Sequence, residues 1–113
     1  MSKTGGINIQ SQINELDWKM FRSKLPVWQE AYMLRLNIGY AALLAGSGKA
    51  SDKFWELEKR INTDKQSVGV VARMSRSNME RNIFALLEDN VITLDDLYGF
   101  SKVLQDKMAF LNK

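Results

Sequence analysis

Apolar positions recur at intervals of three and four residues along most of the chain, and no apolar–polar alternation holds for more than a few residues. That periodicity predicts an all-α fold, a compact bundle of five to six short helices in a single domain. The first helix runs from about Leu16 to Leu25, with Trp18 and Phe21 three apart and Leu25 one turn on. Pro26 closes it, because the residue before a proline is held out of the α region. Pro26 is itself suited to the first position of the next helix, which extends to about Ala45. There Trp28, Tyr32, Leu36, Gly39 and Leu43 form one stripe, and Leu34, Ile38, Ala41 and Ala45 add a second apolar flank. So wide an arc predicts a central helix packed on more than one side, stopped by left-handed residues at Gly46 and Gly48.

The third helix is expected to start at Ser51 as N-cap, with Asp52 favourable at the positive helix end. Phe54, Leu57 and Ile61 make its buried stripe, and Glu56 and Arg60 pair one turn apart. Between Lys65 and Met74, Val68, Val70 and Val71 are β-branched and Gly69 weakens a helix, so 66–76 reads equally as a separate short helix or as part of the next. In MSRSNMERNIFALLEDNVI, residues 74–92, Ser77 and Glu80 have capping-box spacing. They predict a helix from near Asn78 that turns Met79, Ile83, Leu86 and Leu87 inward and stops at a left-handed Asn90. Thr93 and Asp96, with the same spacing, open the last helix, lined by Leu97, Leu104, Met108 and Leu111, with Phe100 at its edge. Residues 1–12 are polar and contain Gly5-Gly6, the pattern of a flexible arm, which leaves 13–113 as the helical domain.

A length of 113 residues leaves room for one ordinary core. With 45% apolar residues, three Trp and five Phe, the chain can fill that core. There is no Cys and no His, which removes disulfides, thiolate chemistry, most zinc sites, every Ser-His-Asp triad and every Cys-His pair. Asp89, Asp95 and Asp96 cluster near the last turn, but acids at a helix start already answer the macrodipole, and the glycine and closing glutamate of a calcium loop are missing. GSGKAS, residues 46–51, is too short for a phosphate loop. The expectation is a non-enzymatic protein with no catalytic residue, cofactor or metal. A net charge of +3 permits nucleic-acid contact without arguing for it. The N-terminal stretch has no apolar core of a signal peptide, and the longest near-apolar run, Ile38 to Ala45, is far below the roughly 20 residues of a membrane span. A soluble, cytoplasmic protein that makes no membrane contact is expected.

Three groups of residues are candidates for contact. Arg35 falls between Ala31, Ile38 and Ala42, beside the main apolar stripe. Its head must find a carboxylate or carbonyl, or lie along the surface in water; the functional reading is a partner's anion or carboxylate, and the structural expectation is an ion pair between helices. Trp55 and Phe84 lie off the stripes of their own helices. Each packs against a neighbouring helix, as small bundles allow, or stands exposed as an interface anchor. Arg73, Arg76, Asn78 and Arg81 make the segment around residues 73–82 resemble the recognition helix of a helix-turn-helix, with VGVVARM as its supporting helix. Against that reading, a helix through Ala72 leaves almost no residues for the turn, Thr93 opens a helix where a wing would follow, and Glu80 and Glu88 place negative charge on the face that would meet phosphate.

The runs LDWKMFRSKLPVWQEAYMLRLNIGYAALLAG, SDKFWELEKRI and SRSNMERNIFALLEDNVITLDDLYGFS resemble a family of small Firmicute proteins carried by integrative conjugative elements and related mobile DNA. The resemblance covers about residues 16–110 and is most specific in FRSKLPVWQEAYM, SDKFWELEKRI and the Asn90–Asp96 turn. Members often carry the label multidrug transporter, which a chain without a membrane-length apolar run does not fit. The chain departs from the family at Gln66-Ser67-Val68-Gly69, where members tend to have Lys-Pro-Gly. The resemblance implies no activity and no catalytic residue. It implies an accessory protein of a mobile element that acts by protein–protein binding, a class that includes inhibitors of host defence such as those of CRISPR nucleases. The alternative is a small nucleic-acid-binding regulator using residues 73–82.

Overall fold

The structure, a computed structural model, describes residues 14–112; the expected arm at 1–12 lies outside them. The described residues form α1 (Glu15–Ala45), α2 (Ala50–Asp64), α3 (Val68–Val71), α4 (Met79–Glu88), a 3₁₀ turn (Leu94–Leu97) and α5 (Lys102–Leu111). The fold is all-α, as the periodicity requires, and no strand occurs among the described residues.

The two helices expected on either side of Pro26 are one helix of 31 residues. Asn14 caps it, its Oδ1 accepting from the amides of Leu16 at 2.8 Å and Asp17 at 3.2 Å. Glu15 and Asp17 add charge favourable to the first turn. A proline inside a helix costs about 3 kcal/mol through the lost hydrogen bond and the clash with the carbonyl four residues back. Here Pro26 and Arg22 are both on the exposed side, where water can meet the orphaned carbonyl. Phe21 and Leu25 before the proline and Trp28 after it are all buried in one core, so their packing holds the helix straight through. Burial of three such side chains, at roughly 1.5–3 kcal/mol each, outweighs the local penalty.

The core gathers Phe21, Leu25 and Trp28 of α1 with Met79, Ile83, Leu86 and Leu87 of α4, Ile92, Leu97 and Phe100 around the turn, and Leu104 and Met108 of α5. An aromatic chain runs through it. Trp18 stacks on Phe21 with centroids 6.1 Å apart, Phe21 meets Trp28 edge-on at 6.4 Å, and Trp28 stacks on Phe100 at 6.2 Å. Phe100, expected at the edge, is fully inside, whereas Leu111 is exposed.

Capping explains where the C-terminal elements begin. Thr93 and Asp96 form their capping box, but it opens the 3₁₀ turn and not the last helix. α5 starts eight residues later, behind Ser101, whose Oγ accepts from the Leu104 amide at 3.2 Å. The Ser77–Glu80 box does not form: Asn78 precedes α4 without a side-chain cap, and Glu80 binds Lys107 of α5 at 2.6 Å. Asn90 does adopt the left-handed conformation, with φ 58°. At the end of α1, Gly48 has φ +119°, but Gly46 is extended, so the positive-φ position is taken three residues after the helix ends.

The buried Asp17 ties the ends of this core together. Its carboxylate accepts from the Ser101 amide at 2.7 Å and from the Ser101 hydroxyl at 2.6 Å. One side chain therefore joins the first turn of α1 to the cap of α5. Residues 66–76 resolve into the separate short α3, capped by Ser67, followed by a loop. Gln29 of α1 donates to the carbonyls of Ala72 at 2.9 Å and Val70 at 3.4 Å. Gly69 is buried directly under Tyr32, where an added Cβ would lie 2.5 Å from the ring.

Two outcomes follow for stability. Asp17→Ala leaves the Ser101 amide without its partner and should cost about 2–3 kcal/mol in urea unfolding. Gly69→Ala should cost about 1–3 kcal/mol by overpacking against Tyr32, with loss of the 3.1 Å bond from Ser67 to the Tyr32 hydroxyl.

Candidate functional site

α1 continues far beyond the core. Its buried residues end at Trp28, and the remaining residues to Ala45 extend about 25 Å further. On this extension α2 folds back as the second arm of a hairpin. Two contacts define the pairing: the Tyr40 hydroxyl donates to Asp64 at 2.6 Å, and Lys53 Nζ donates to the Leu44 carbonyl at 3.1 Å; Lys49 precedes α2 without a side-chain cap. α2 starts at Ala50, one residue before the expected Ser51 cap. The expected Glu56–Arg60 pair forms at 3.0 Å.

No residue of α2 is buried. This overturns the buried stripe expected of it: Phe54 is 61% exposed and Ile61 41%, and only Leu57 is partly covered. Trp55, expected in a core contact, is 62% exposed and packs edge-on against Phe54 with centroids 4.8 Å apart. The second flank of α1 is also uncovered. Leu34 and Ile38 are each about three-fifths exposed, and Val27, Ala41 and Ala45 are exposed with them. These five recur along one stripe, opposite Leu36, which faces Ile61 and Asp64 across a groove. The physical reason is the count of neighbours. α1 was expected to be central, but α4 and α5 gather around its first half, α3 and the end of α4 reach its middle, and α2 alone lies against its last turns.

The hairpin groove is apolar. Near its base it is lined by Met33, Leu36, Tyr40, Ile61 and Val70, with Asn37, Asp64 and Lys65 at its rim. Further out Phe54 and Leu57 continue it, and Leu44 closes it near Gly48. From Leu36 to Gly48 the sequence contains no charged residue. The one perturbed ionisable group here is Tyr40. Partial burial, reinforced by the bond to Asp64 and its negative charge, pushes the phenol up to about 12.

The other candidates are placed elsewhere. Arg35 does not form the expected ion pair. Its guanidinium donates to the carbonyl of Asn90 at 2.9 Å and of Val91 at 3.4 Å, and lies 5.2 Å from the Tyr32 ring centroid. It thereby fastens the C-terminal end of α4 to the middle of α1. Phe84 is partly buried and packs against the core, as expected of a second helix neighbour. Arg73, Arg76 and Asn78 lie on the loop between α3 and α4, and Arg81 lies in the first turn of α4. That loop spans residues 72–78, so the connection is longer than a helix-turn-helix allows, where the sequence had suggested one too tight. Arg76 pairs with Glu15, Asn78 bonds Ser75 at 3.2 Å, and Asn82 holds the Arg73 carbonyl at 3.2 Å. After Thr93 comes the 3₁₀ turn where a wing would be.

Among the described residues no group of three His, Cys, Asp or Glu side chains is placed to hold a metal, and no helix is long and apolar enough to cross a membrane. Comparison with protein-family models, with curated proteins and with solved structures finds no match to this chain.

The Tyr40–Asp64 bond gives a direct check on the hairpin. In a spectrophotometric titration, one of the three tyrosines should ionise at about 12, well after the ordinary value of 10.0. Because the folded value is raised, this bond contributes stability below pH 10 and loses it as the pH climbs through about 12. Asp64→Asn should move that titration back toward the ordinary range.

Proposed function

We propose that the protein is a non-enzymatic accessory protein that acts by protein–protein binding through the α1–α2 hairpin. The observation that carries this reading is the exposed Phe54–Trp55 pair on a helix without a buried residue, set beside a mostly apolar groove. Aromatic side chains held in rigid contact are the usual anchors of binding surfaces, because they offer large area at small entropic cost. Exposed apolar area on this scale is unusual on a protein surface that meets only water. The resemblance to proteins of integrative conjugative elements supports a partner in the host cytoplasm, and an inhibitor of a defence nuclease such as a CRISPR effector belongs to this class.

Immobilised chain should retain a discrete partner from host extract. Trp55→Glu or Phe54→Glu should each weaken that retention at least tenfold, while helicity by circular dichroism stays unchanged because both side chains are already exposed. A retained set identical for wild type and both variants sinks the hairpin reading.

A regulator that binds nucleic acid is the second reading. It is favoured by Arg73 and Arg81, both exposed and without an ion pair among the described residues. It requires duplex binding that weakens steeply with salt, as phosphate contacts release counterions. A titration at low and moderate salt should show no binding that Arg76→Ala/Arg81→Ala abolishes. Salt-sensitive binding lost in that double variant would transfer the function to the α3–α4 loop.

A further inference from the structure

We propose that the core end of the molecule carries a second docking surface, a basic strip between α1 and the α3–α4 loop, and that it takes an extended acidic segment of a protein partner. The strip is separate from the hairpin groove and independent of what that groove binds. Two contacts lay the loop along α1. Gln29 donates to the Ala72 carbonyl at 2.9 Å, and Arg76 pairs with Glu15. These anchors on α1 are about 21 Å apart along its axis, so the chain from Ala72 to Arg76 runs back beside the helix. Arg22 stands midway, seven residues from each anchor and on the same stripe of α1.

Charge is the first argument. From Leu16 to Gln29 the only acid of α1 is Asp17, which is buried against Ser101, while Lys19 and Arg22 sit one turn apart. The loop from Ala72 to Asn78 adds Arg73 and Arg76 and no acid. Glu15 answers Arg76, and Glu30 lies two turns beyond Arg22. Arg22 and Arg73 are exposed, and neither guanidinium has an ion pair or hydrogen bond among the described residues. The backbone amides from Arg73 to Arg76 have no acceptor there either. The strip is therefore rich in donors and short of acceptors. A carboxylate supplies what is missing, since it meets a guanidinium through two parallel bonds.

Apolar neighbours decide between a peptide and a phosphate backbone. Pro26, one turn from Arg22, is exposed, and Val71 and Met74, on either side of Arg73, are 49% and 44% exposed. A peptide covers such side chains with apolar groups of its own, whereas a phosphate backbone leaves them wet. Glu15 adds a like charge, which a dense polyanion feels more than a peptide of scattered acids. An extended peptide of about six residues spans the strip from end to end.

The test is fluorescence anisotropy of a labelled peptide of glutamates interspersed with valines, titrated with the full chain. The same peptide with glutamine for each glutamate and a labelled DNA duplex are run beside it. The glutamate peptide should bind saturably and the glutamine peptide should not. Arg22→Gln and Arg73→Gln should each weaken binding about fivefold, the effect of losing one guanidinium–carboxylate pair at a surface. Trp55→Glu, on the hairpin, should leave it unchanged. In nuclear magnetic resonance the amides of Arg73 to Arg76 should shift as the peptide is added. A glutamate peptide that does not bind overturns the proposal. So does binding that survives both arginine changes, is lost with Trp55→Glu, or shifts the amides of α2 in place of those of the loop. Tighter binding of the duplex, lost in the same arginine variants, assigns the strip to nucleic acid and overturns the acidic segment as well.

Discussion

Every other feature of the molecule depends on α1 remaining a single helix through Pro26. Its first half supplies Phe21, Leu25 and Trp28 to the core, and its second half supplies one wall of the groove. A break at the proline would turn these into two bodies joined by a joint. Continuity makes the hairpin a rigid extension of the core. The local preference for a break is worth about 3 kcal/mol, and the aromatic chain from Trp18 through Phe21 and Trp28 to Phe100 clamps both sides of it. Arg35 adds a tie about two turns into the extension by gripping the carbonyls after α4, and Gln29 ties the end of α3 at its start.

Beyond Arg35 the forces change character. α2 is held to α1 by a phenol–carboxylate bond, a lysine on a helix-end carbonyl and one partly covered leucine. An isolated helix of this length is marginal in water, and α2 buries little more than an isolated helix does. The hairpin is thus the part of the fold with the least stability of its own and the most apolar surface to lose from water. Those two properties belong together in a binding element. A partner that covers the groove contributes the burial that the fold leaves out, so binding and ordering of α2 draw on the same free energy.

Local rules in the sequence were sufficient where nothing distant competed with them. Asn90 is left-handed, the Thr93–Asp96 box forms, and Met79, Ile83, Leu86 and Leu87 turn inward at the predicted spacing. They failed where a tertiary partner outbid them. Glu80 left its capping position for Lys107, and the burial of Trp28 and Leu25 overrode Pro26. Periodicity has a different blind spot. It places Phe54, Leu57 and Ile61 on one face, and Leu34 and Ile38 on another, but it carries no information on whether a second element reaches that face. Only the topology settles this, because α3 to α5 all fold back to the first half and the middle of α1. Trp55 was legible as an anomaly from its position off the stripe; Phe84 gave the same signal and is packed against the core.

Electrostatics separates the two ends of the molecule. A surface that holds a polyanion needs cations placed to meet successive phosphates. Between Arg35 and Lys49 the α1 arm of the hairpin offers none, the cations of α2 are interleaved with Asp52, Glu56, Glu58 and Asp64, and the guanidinium of Arg35 is already committed to backbone carbonyls. The arginines of the α3–α4 loop lie where Glu15 takes Arg76 and where Glu80, though paired with Lys107, still brings a carboxylate beside Arg81. The apolar groove and the basic loop therefore cannot form one continuous site for one ligand. Binding of nucleic acid by the α3–α4 loop would leave Phe54, Trp55 and Ile61 of α2 bare. A protein surface can account for them, since covering apolar side chains requires an apolar counterpart and not a chain of phosphates.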